Sequence, residues 1–287
     1  MLTHTRTIDD PNGIVSKLIF EDDKAIAETV AYRYQDRGVI CFSVQSGCPV
    51  GCTFCGTGNR FIRNLTVNEM HTQINEGLKL LGDRQKIQLM SMSMGDPMLN
   101  WNKVYHVAAD WLSDHSTYFF ISTVGFRLQN VLNDIIELGT QAPRFGLQFS
   151  LHELDEQKRR NLFRNTKLPY LTIPELIEVG HRFTKATGNK AYYNYIVKDF
   201  DPAAVETITR NFKGLHVTFS VLCDTTKLAK NNPENAIAMA NAVFQMSNGE
   251  VETSTFDPAG QDTIGGGCGQ LLYVQERMKK LAKFTGS

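Results

Sequence analysis

The chain has 287 residues, 42% of them hydrophobic, and its 30 basic residues balance 30 acidic ones. This composition supplies enough apolar surface for one large core or two modest ones, and it argues against a strong nonspecific binder of nucleic acid, which is usually basic. No apolar run is long enough to span a bilayer, and residues 1–6 lack the apolar segment of a signal peptide, so we expect a cytoplasmic protein with reduced cysteines.

Apolar, β-rich runs alternate with amphipathic helical patterns along most of the chain. The predicted strands are 39–45, 86–93, 118–123, 145–151, 191–197 and 216–223. The predicted helices between them are 66–81, 103–113, 128–138, 173–187 and 203–212. Repeated strand–helix units with right-handed crossovers predict an α/β protein with a partial, open (β/α)6 TIM-like barrel, whose site lies at the carboxyl ends of the strands.

Two further β-rich runs, 14–20 and 25–34, precede the first barrel strand and are separated by Glu-Asp-Asp-Lys. They predict a β-hairpin extension outside the barrel, with residues 1–12 as a short tail. We therefore divide the chain into a tail and hairpin, 1–38, and a core barrel with its C-terminal loop and helix, 39–287.

Four of the six cysteines lie close together, and three of them, Cys48, Cys52 and Cys55, have C-x3-C-x2-C spacing. Three thiolates at this separation can hold an iron–sulfur cluster and leave one iron without a protein ligand, whereas an electron-transfer cluster takes four cysteines. A structural zinc site is the alternative, but it needs four ligands, usually from two paired motifs, and the chain has no second pair.

Five motifs in chain order resemble the RlmN/Cfr family of the radical S-adenosylmethionine (SAM) superfamily, and the resemblance runs from about Gly13 to Leu272. They are the cysteine loop with Phe54, Gly95-Asp96 after the second barrel strand, Ser122 after the third, Ser150-Leu151-His152 after the fourth, and Cys268 in a run of glycines. The resemblance implies a methyltransferase that acts on adenosine at C2 or C8 in rRNA or tRNA.

The resemblance implies a [4Fe–4S] cluster on Cys48, Cys52 and Cys55, with SAM on the open iron, where its cleavage yields a 5′-deoxyadenosyl radical. It implies two SAM molecules per turnover, one of which methylates Cys268 to form an S-methylcysteine intermediate. By the same resemblance Cys41 is the resolving cysteine, which forms a transient disulfide, and Glu28 is the proton acceptor.

The resemblance also assigns SAM contacts and partners. The predicted SAM-binding residues are Gly95, Asp96, Ser122, Ser150, Leu151 and His152. RNA is the implied substrate and a flavodoxin-type protein the implied electron donor, while the oligomeric state is left open.

Each of these residues has a structural interpretation when it is taken singly. A serine at a strand end is commonly a turn former, a lone histidine is commonly a structural one, and a buried free cysteine is usually an inert small hydrophobe. The occurrence of all five motifs in order favours the functional interpretation. Cys223 matches none of the motifs, and we assign it to the barrel wall or the cofactor rim.

Several features depart from the family. The resemblance leads us to expect that the family's N-terminal accessory domain is lacking, and Asp96 stands where the family usually has Glu. The family's Trp-Asn-Pro-Phe segment is replaced by residues 221–226, which removes an asparagine expected to contact SAM, and an arginine before the Cys268 loop is missing.

Local basic groups could still contact phosphate in a chain without net charge. They are Arg60 and Arg63 beside the cysteine loop, Lys158, Arg159, Arg160, Arg164 and Lys167 after the fourth strand, and Arg277, Lys279, Lys280 and Lys283 in the predicted last helix.

Two other functions stay open. The same two-cysteine mechanism could act on a small molecule or a peptide, and copurifying RNA would separate that possibility from an RNA methyltransferase. A non-catalytic iron–sulfur binding or redox module is the third, but it would need none of Glu28, Cys41 and Cys268.

Overall fold

The computed structural model describes residues 1–83, 86–113, 116–223, 232–267 and 269–270. The strands are β1 (Thr3–Asp9), β2 (Val15–Glu21), β3 (Ile26–Arg33), β4 (Gly38–Cys41), β5 (Gln45–Gly47), β6 (Phe61–Asn64), β7 (Ile87–Ser91), β8 (Thr117–Thr123), β9 (Phe145–Ser150), β10 (Tyr192–Val197), β11 (His216–Val221) and β12 (Glu252–Phe256). The helices are α1 (Val67–Leu81), α2 (Trp101–Leu112), α3 (Gln129–Gln141), α4 (Glu156–Asn161), α5 (Ile173–Thr187), α6 (Pro202–Asn211) and α7 (Glu234–Met246).

Ten of these strands form one sheet in the order β1-β2-β3-β4-β7-β8-β9-β10-β11-β12. From β4 to β12 every described pairing is parallel, which is the arrangement expected from repeated strand–helix units. The predicted mixed α/β class with a mostly parallel sheet is confirmed. The sequence predicted six barrel strands, and β12 adds a seventh that its polar sequence Glu-Thr-Ser-Thr-Phe concealed.

The N-terminal hairpin belongs to this sheet, because β3 pairs antiparallel with β4 as well as with β2. The predicted hairpin extension therefore continues the sheet beyond the first barrel strand, β4. Residues 1–12 are not a simple tail, since β1 pairs antiparallel with β2. The polar sequence of β1 hid it, because an edge strand exposes most of its side chains.

The two faces of β2 and β3 have different neighbours. Leu18, Phe20 and Ala31 belong to the main core, against which α1 packs. Val15, Val30 and Tyr32 form a second apolar cluster with Val39 of β4, and Ala259 and Ile264 pack against it. The segment after β12 therefore returns across the open face of the hairpin.

We call this segment the glycine loop; its described residues are 257–267 and 269–270. Two hydrogen bonds hold it against the hairpin region. The Tyr32 hydroxyl donates to the Gly266 carbonyl at 2.6 Å, and the Thr263 hydroxyl donates to Asp10 at 2.5 Å. Because Tyr32 and Asp10 belong to the N-terminal hairpin region, the loop joins the two ends of the described chain. None of the described helices is long and apolar enough to cross a membrane.

Candidate active site

The cysteine loop is held by backbone hydrogen bonds to the segment after α4. The Thr53 amide donates to the Leu162 carbonyl at 2.8 Å, and the Arg164 amide donates to the Gly51 carbonyl at 3.1 Å. A Cβ on Gly58 would lie 2.8 Å from the Cys52 carbonyl oxygen, and Gly51 has a φ of +71°, which favours glycine. The glycines of the loop thus let it fold tightly around its three cysteines.

The three thiols lie in each other's electric field and are partly buried. Burial raises the pKa of Cys48 to about 12 and that of Cys52 well above its usual value, and negative charge on Cys55 and Asp96 raises both further. The Cys48 and Cys52 thiols are therefore neutral until positive charge stabilises their thiolates, as bound iron would.

The donor set fits a cluster better than a single ion. Among the described residues, no three His, Cys, Asp or Glu side chains are gathered so as to hold one metal ion. Three neighbouring thiols that influence one another's ionisation suit a cluster that takes three protein ligands and leaves one iron open. The Cys55 sulfur also lies 2.9 Å from the Thr57 hydroxyl, which can hydrogen-bond a ligating sulfur.

Gly95 and Asp96 follow β7 beside the cysteine loop. Gly95 has a φ of +95°, and a Cβ there would lie 2.5 Å from the side chain of Gln45. The Asp96 carboxylate is buried and accepts hydrogen bonds from the Thr123 hydroxyl at 2.8 and 2.9 Å and from the Val124 amide at 2.9 Å. Burial raises its pKa to about 6, although these bonds oppose the rise. A ligand ammonium group would be an additional partner for this carboxylate.

The other predicted SAM contacts meet at the carboxyl ends of β8 and β9. The Ser122 and Ser150 hydroxyls are 3.2 Å apart, and the Gln148 amide donates to Ser122 at 3.0 Å. Next in the chain, the amides of Leu151 and His152 donate to the Asn194 carbonyl at 2.9 and 3.2 Å. The strand ends therefore bring these residues together.

His152 has two features typical of a ligand-binding residue. Its φ of +62° is unusual for a side chain other than glycine, and its buried Nδ1 has no hydrogen-bond partner among the described residues. Burial, with a smaller contribution from Arg159, lowers its pKa to about 3, so the ring is neutral at pH 7. The ring packs edge-on against Phe54, at 4.9 Å between centroids, which places it beside the cysteine loop.

Glu28 and Cys41 lie on the same face of the sheet. Cys41 is paired with Val30, and Glu28 is two residues before Val30 on the same strand, so all three side chains point to one side. Glu28 is fully buried, and its carboxylate lies 3.2 Å from the Lys17 ammonium nitrogen. The structure therefore brings the predicted proton acceptor and the predicted resolving cysteine to one surface.

A cavity of about 350 Å³ opens on this face. Its walls combine apolar and polar side chains, with the cationic Arg37 among them, and Cys41 is part of the wall. The glycine loop closes one side through Gly266, Gly267 and Gly269.

Cys268 itself lies outside the described residues, but its neighbours are described. A Cβ on Gly267 would lie 2.5 Å from the Cys223 sulfur, which places Cys223 at the glycine loop. The Gly269 carbonyl accepts a 2.9 Å hydrogen bond from the amide of Gly56, the residue after Cys55. The glycine loop thus meets the cysteine loop one residue beyond a predicted cluster ligand.

Three of the basic residues are engaged within the protein, and one of them, Arg160, pairs with Glu156 at 3.2 Å. Arg159 is fully buried and donates to the carbonyls of Val124, Leu151 and Leu171 at 2.6, 3.2 and 3.1 Å, so it does not contact phosphate as the sequence suggested. Arg63 pairs with both Asp22 and Glu69 at 2.8 Å. The basic residues that remain exposed are Arg60, Lys158, Arg164 and Lys167. Arg277, Lys279, Lys280 and Lys283 lie outside the described residues.

Sequence reasoning missed the structural role of Arg159 and missed three further residues of this site altogether. They are Lys17, Asn194 and Ser220, the last of which donates to Asn194 at 2.6 Å at the cavity wall. Only Lys17 carried a usable signal, because it is a charged residue at an inward position of an apolar strand, between Val15 and Ile19.

Comparison with known proteins agrees with this geometry. The sequence model of one protein family, the radical SAM superfamily, matches residues 42–183. A curated relative from Chlorobium phaeobacteroides, named a probable dual-specificity RNA methyltransferase RlmN, is 30% identical over 91% of this chain and 74% of its own length. One of the same name from Streptomyces coelicolor is 27% identical over 94% of this chain and 77% of its own.

Among solved structures, a radical SAM methyltransferase from Sphaerobacter thermophilus superposes with a TM-score of 0.76. It is 26% identical and covers 94% of this chain, which spans 80% of that protein. The chain therefore belongs to the RlmN/Cfr family of radical SAM methyltransferases, with a [4Fe–4S] cluster and SAM as its cofactors.

Proposed function

We propose that this protein is an RNA methyltransferase that methylates an adenosine carbon, C2 or C8, in ribosomal or transfer RNA. The names of its curated relatives support RNA as the substrate. The meeting of the glycine loop with both the cysteine loop and the cavity that contains Cys41 is the observation that carries the proposal. A protein that only bound a cluster would need no such arrangement.

The cofactors supply the methyl group and the radical chemistry that an unreactive aromatic carbon requires. Cys268 carries the methyl group as an S-methylcysteine, which uses one SAM, and a second SAM is used in the transfer. In the transfer, the Cys268 methyl group would lose one hydrogen atom to the radical that the second SAM supplies, its carbon would bond to the adenosine carbon, and the unpaired electron would return to the cluster. The Cys41 thiolate then attacks the Cys268 sulfur and breaks its bond to the transferred carbon, so that the nucleobase is released and the two cysteines form a transient disulfide. Glu28 accepts the proton that leaves the methylated carbon.

The strand ends form the proposed SAM site, with Gly95, Asp96, Ser122, Ser150, Leu151 and His152 as its contacts. Gly95 lets backbone approach the ligand, and the unpartnered Nδ1 of the neutral His152 ring supplies one hydrogen-bonding atom. Asn194, on the neighbouring strand, has its side chain at the cavity wall. A flavodoxin-type protein is the proposed electron donor.

The test uses protein purified anaerobically with its cluster intact. It is incubated with a reductant, trideuteromethyl SAM, and either ribosomal RNA or transfer RNA, and the digested nucleosides are analysed by mass spectrometry. We expect deuterated 2-methyladenosine or 8-methyladenosine, and the same label on the Cys268 peptide. Cys268→Ala is the control that removes the carrier but leaves the cluster ligands.

Each outcome has a distinct meaning. Labelled methyladenosine that disappears in Cys268→Ala supports the proposal, and the chromatographic position decides between C2 and C8. A methylated Cys268 with unmodified RNA of both kinds would contradict RNA as the substrate. An unmodified Cys268 in protein that cleaves SAM would contradict the two-cysteine mechanism itself.

A further inference from the structure

A fully buried lysine stands beside the proposed proton acceptor. Lys17, on β2, has a side chain only 1% exposed, and its ammonium nitrogen lies 3.2 Å from the fully buried Glu28 carboxylate on β3. The same nitrogen donates to the carbonyl of Gln270, in the glycine loop, at 3.3 Å. Lys17 therefore joins the N-terminal hairpin to the segment that contains Cys268.

Stability alone does not account for this pair. The neighbours of Lys17 on the same face of β2 are Val15 and Ile19, and an apolar side chain at position 17 would continue that surface. The desolvation free energy that is lost when two charges leave water is about as large as the free energy gained from their attraction. Replacing a buried ion pair by apolar side chains is therefore often neutral or stabilising for the fold. A buried lysine that contacts a proposed proton acceptor has a functional explanation instead.

We propose that Lys17 is a positioning residue for the proton-transfer step: it keeps Glu28 ionised and fixes the orientation of its carboxylate, and it ties the glycine loop to that carboxylate. The role rests on the proposed function, because it assigns Lys17 to the step in which Glu28 accepts a proton. An ionised carboxylate can accept a proton, whereas a protonated one cannot.

The main chain of Glu28 is held separately from its carboxylate, which lies beside the Lys17 ammonium group. Two hydroxyls, from Ser43 and Ser93, donate to the Glu28 backbone carbonyl at 2.5 and 2.6 Å and fix the main chain. The residue opposite Glu28 on β2 is the apolar Ile19, which stabilises no charge. In such a site a carboxylate without a cation beside it would become protonated, because burial disfavours the charged form.

The contact with Gln270 extends the role of Lys17 to the loop. The Gln270 side chain accepts from the Gly267 amide at 3.1 Å and donates to the Gln261 carbonyl at 2.9 Å, so it organises the loop before position 268. Lys17 holds the main chain of the same residue. The Lys17 ammonium group therefore positions both the proton acceptor, Glu28, and the loop that carries the methyl group.

The test compares Lys17→Met, which keeps the length of the side chain without its charge, with Glu28→Gln and with the double variant. Thr29→Val is the matched control, because the fully buried Thr29 hydroxyl bonds Gln73 at 2.8 Å on the opposite face of the same strand. Infrared difference spectra against Glu28→Gln at pH 7 report whether Glu28 is ionised. We expect carboxylate bands in the wild type and in Thr29→Val, but a protonated carboxyl band in Lys17→Met.

A second readout follows the reaction. In Lys17→Met, methylation of Cys268 and SAM cleavage should continue, while release of the methylated RNA slows by roughly 100-fold, the usual scale for one positioned base. Protein cross-linked to RNA should then accumulate, as in Glu28→Gln. Thr29→Val should lower all steps equally or none.

The results separate the two proposals. An ionised Glu28 in Lys17→Met, or release at the wild-type rate, would overturn the role of Lys17. If Lys17→Met does not fold, folding of the double variant supports action through Glu28, and failure of the double variant contradicts it. The infrared measurement needs neither SAM nor RNA, so it decides the role of Lys17 in holding the charge even if the wild type methylates no RNA.

Discussion

A buried charged residue at this site has hydrogen-bond partners that the sequence does not reveal. Arg159 is fully buried, but it bonds backbone carbonyls rather than a carboxylate. Burial lowers its pKa to about 10, which still leaves it charged at neutral pH. Because the carbonyls it holds belong to Val124, Leu151 and Leu171, Arg159 fixes the main chain where the strands turn toward His152.

Replacement of Arg159 should therefore be costly. Arg159→Met would leave several buried carbonyls without donors, and we expect a loss of about 3 kcal/mol in the free energy of unfolding. Arg159→Lys should recover little of it, because one ammonium group does not reproduce the planar fork of a guanidinium. Urea denaturation measures both. Arg160→Ala, which breaks an exposed pair with Glu156, is the control and should cost less than about 1 kcal/mol; equal losses at the two positions would contradict this account.

His152 offers a test of the proposed SAM site. Its neutral, buried ring has an unpartnered nitrogen, so a bound cofactor can gain one hydrogen bond there. We expect His152→Ala to weaken SAM binding about tenfold, the equivalent of one such bond, without a change in iron content. Equilibrium dialysis and iron analysis measure the two quantities. His106→Ala, at an exposed position of α2, should change neither, and unaltered SAM affinity in His152→Ala would exclude the contact.

At the scale of elements, the start of α1 shows how local chemistry anchors the hairpin to the barrel. Thr66 and Glu69 form a capping box, in which each side chain bonds the backbone amide of the other. Glu69 also accepts from Arg63 and from the Leu2 amide at 3.0 Å, and Arg63 reaches Asp22 beyond β2. One helix start therefore holds the N-terminus, the hairpin turn and β6 together.

This network predicts sensitivity to acid. Burial opposes ionisation of Glu69, but the hydrogen bonds from Arg63 and the backbone outweigh it and lower the pKa to about 2. A carboxylate whose pKa is lowered by folding contributes stability that is complete above about pH 4.5 and is lost as the pH falls toward 2. We expect Glu69→Gln to cost about 2 kcal/mol at pH 7 and much less at pH 2.5, as measured by denaturation at both values. A cost that does not change with pH would show that the charge contributes nothing.

The elements that the sequence predicted are those with a clear apolar pattern. α5 has the predicted bounds, and β8 and β10 differ from prediction by one residue, because each has one buried face. The predicted strand 39–45 is interrupted after Cys41, where the chain leaves the sheet before β5 pairs with β6. α7 was missed because its small, apolar sequence lacks a strong helical periodicity.

The site was predictable only where the spacing of residues carries chemistry. Cys48, Cys52 and Cys55 are recognisable from spacing alone, and the family motifs add the strand-end residues. Lys17 and Arg159 are different, because their roles depend on which residues lie opposite them in the folded sheet. A register shift of one residue would turn Lys17 away from Glu28, and no local pattern encodes that pairing.

At the scale of the whole molecule, the glycine loop closes a sheet whose two described ends are β1 and β12. It follows β12, crosses the second apolar cluster and is tied to the hairpin by Tyr32, Thr263 and Lys17. Through Gly269 it also contacts the cysteine loop. The same loop therefore closes one side of the cavity and brings Gly267 and Gly269, the neighbours of position 268, to the site.

The ties to the hairpin should therefore control the loop without affecting the rest of the sheet. Tyr32→Phe combined with Thr263→Val removes two hydrogen bonds but keeps the side-chain shapes, and each bond contributes roughly 1 kcal/mol. We expect amide exchange in residues 259–267 to accelerate by roughly tenfold or more, with SAM cleavage retained and methyl transfer slowed. Tyr193→Phe is the control, because it removes a similar bond, to the Leu176 carbonyl at 2.7 Å, far from the glycine loop. Exchange that rises equally in both variants would mean that the bonds stabilise the fold as a whole, whereas a change confined to the loop would identify it as a separately opening unit.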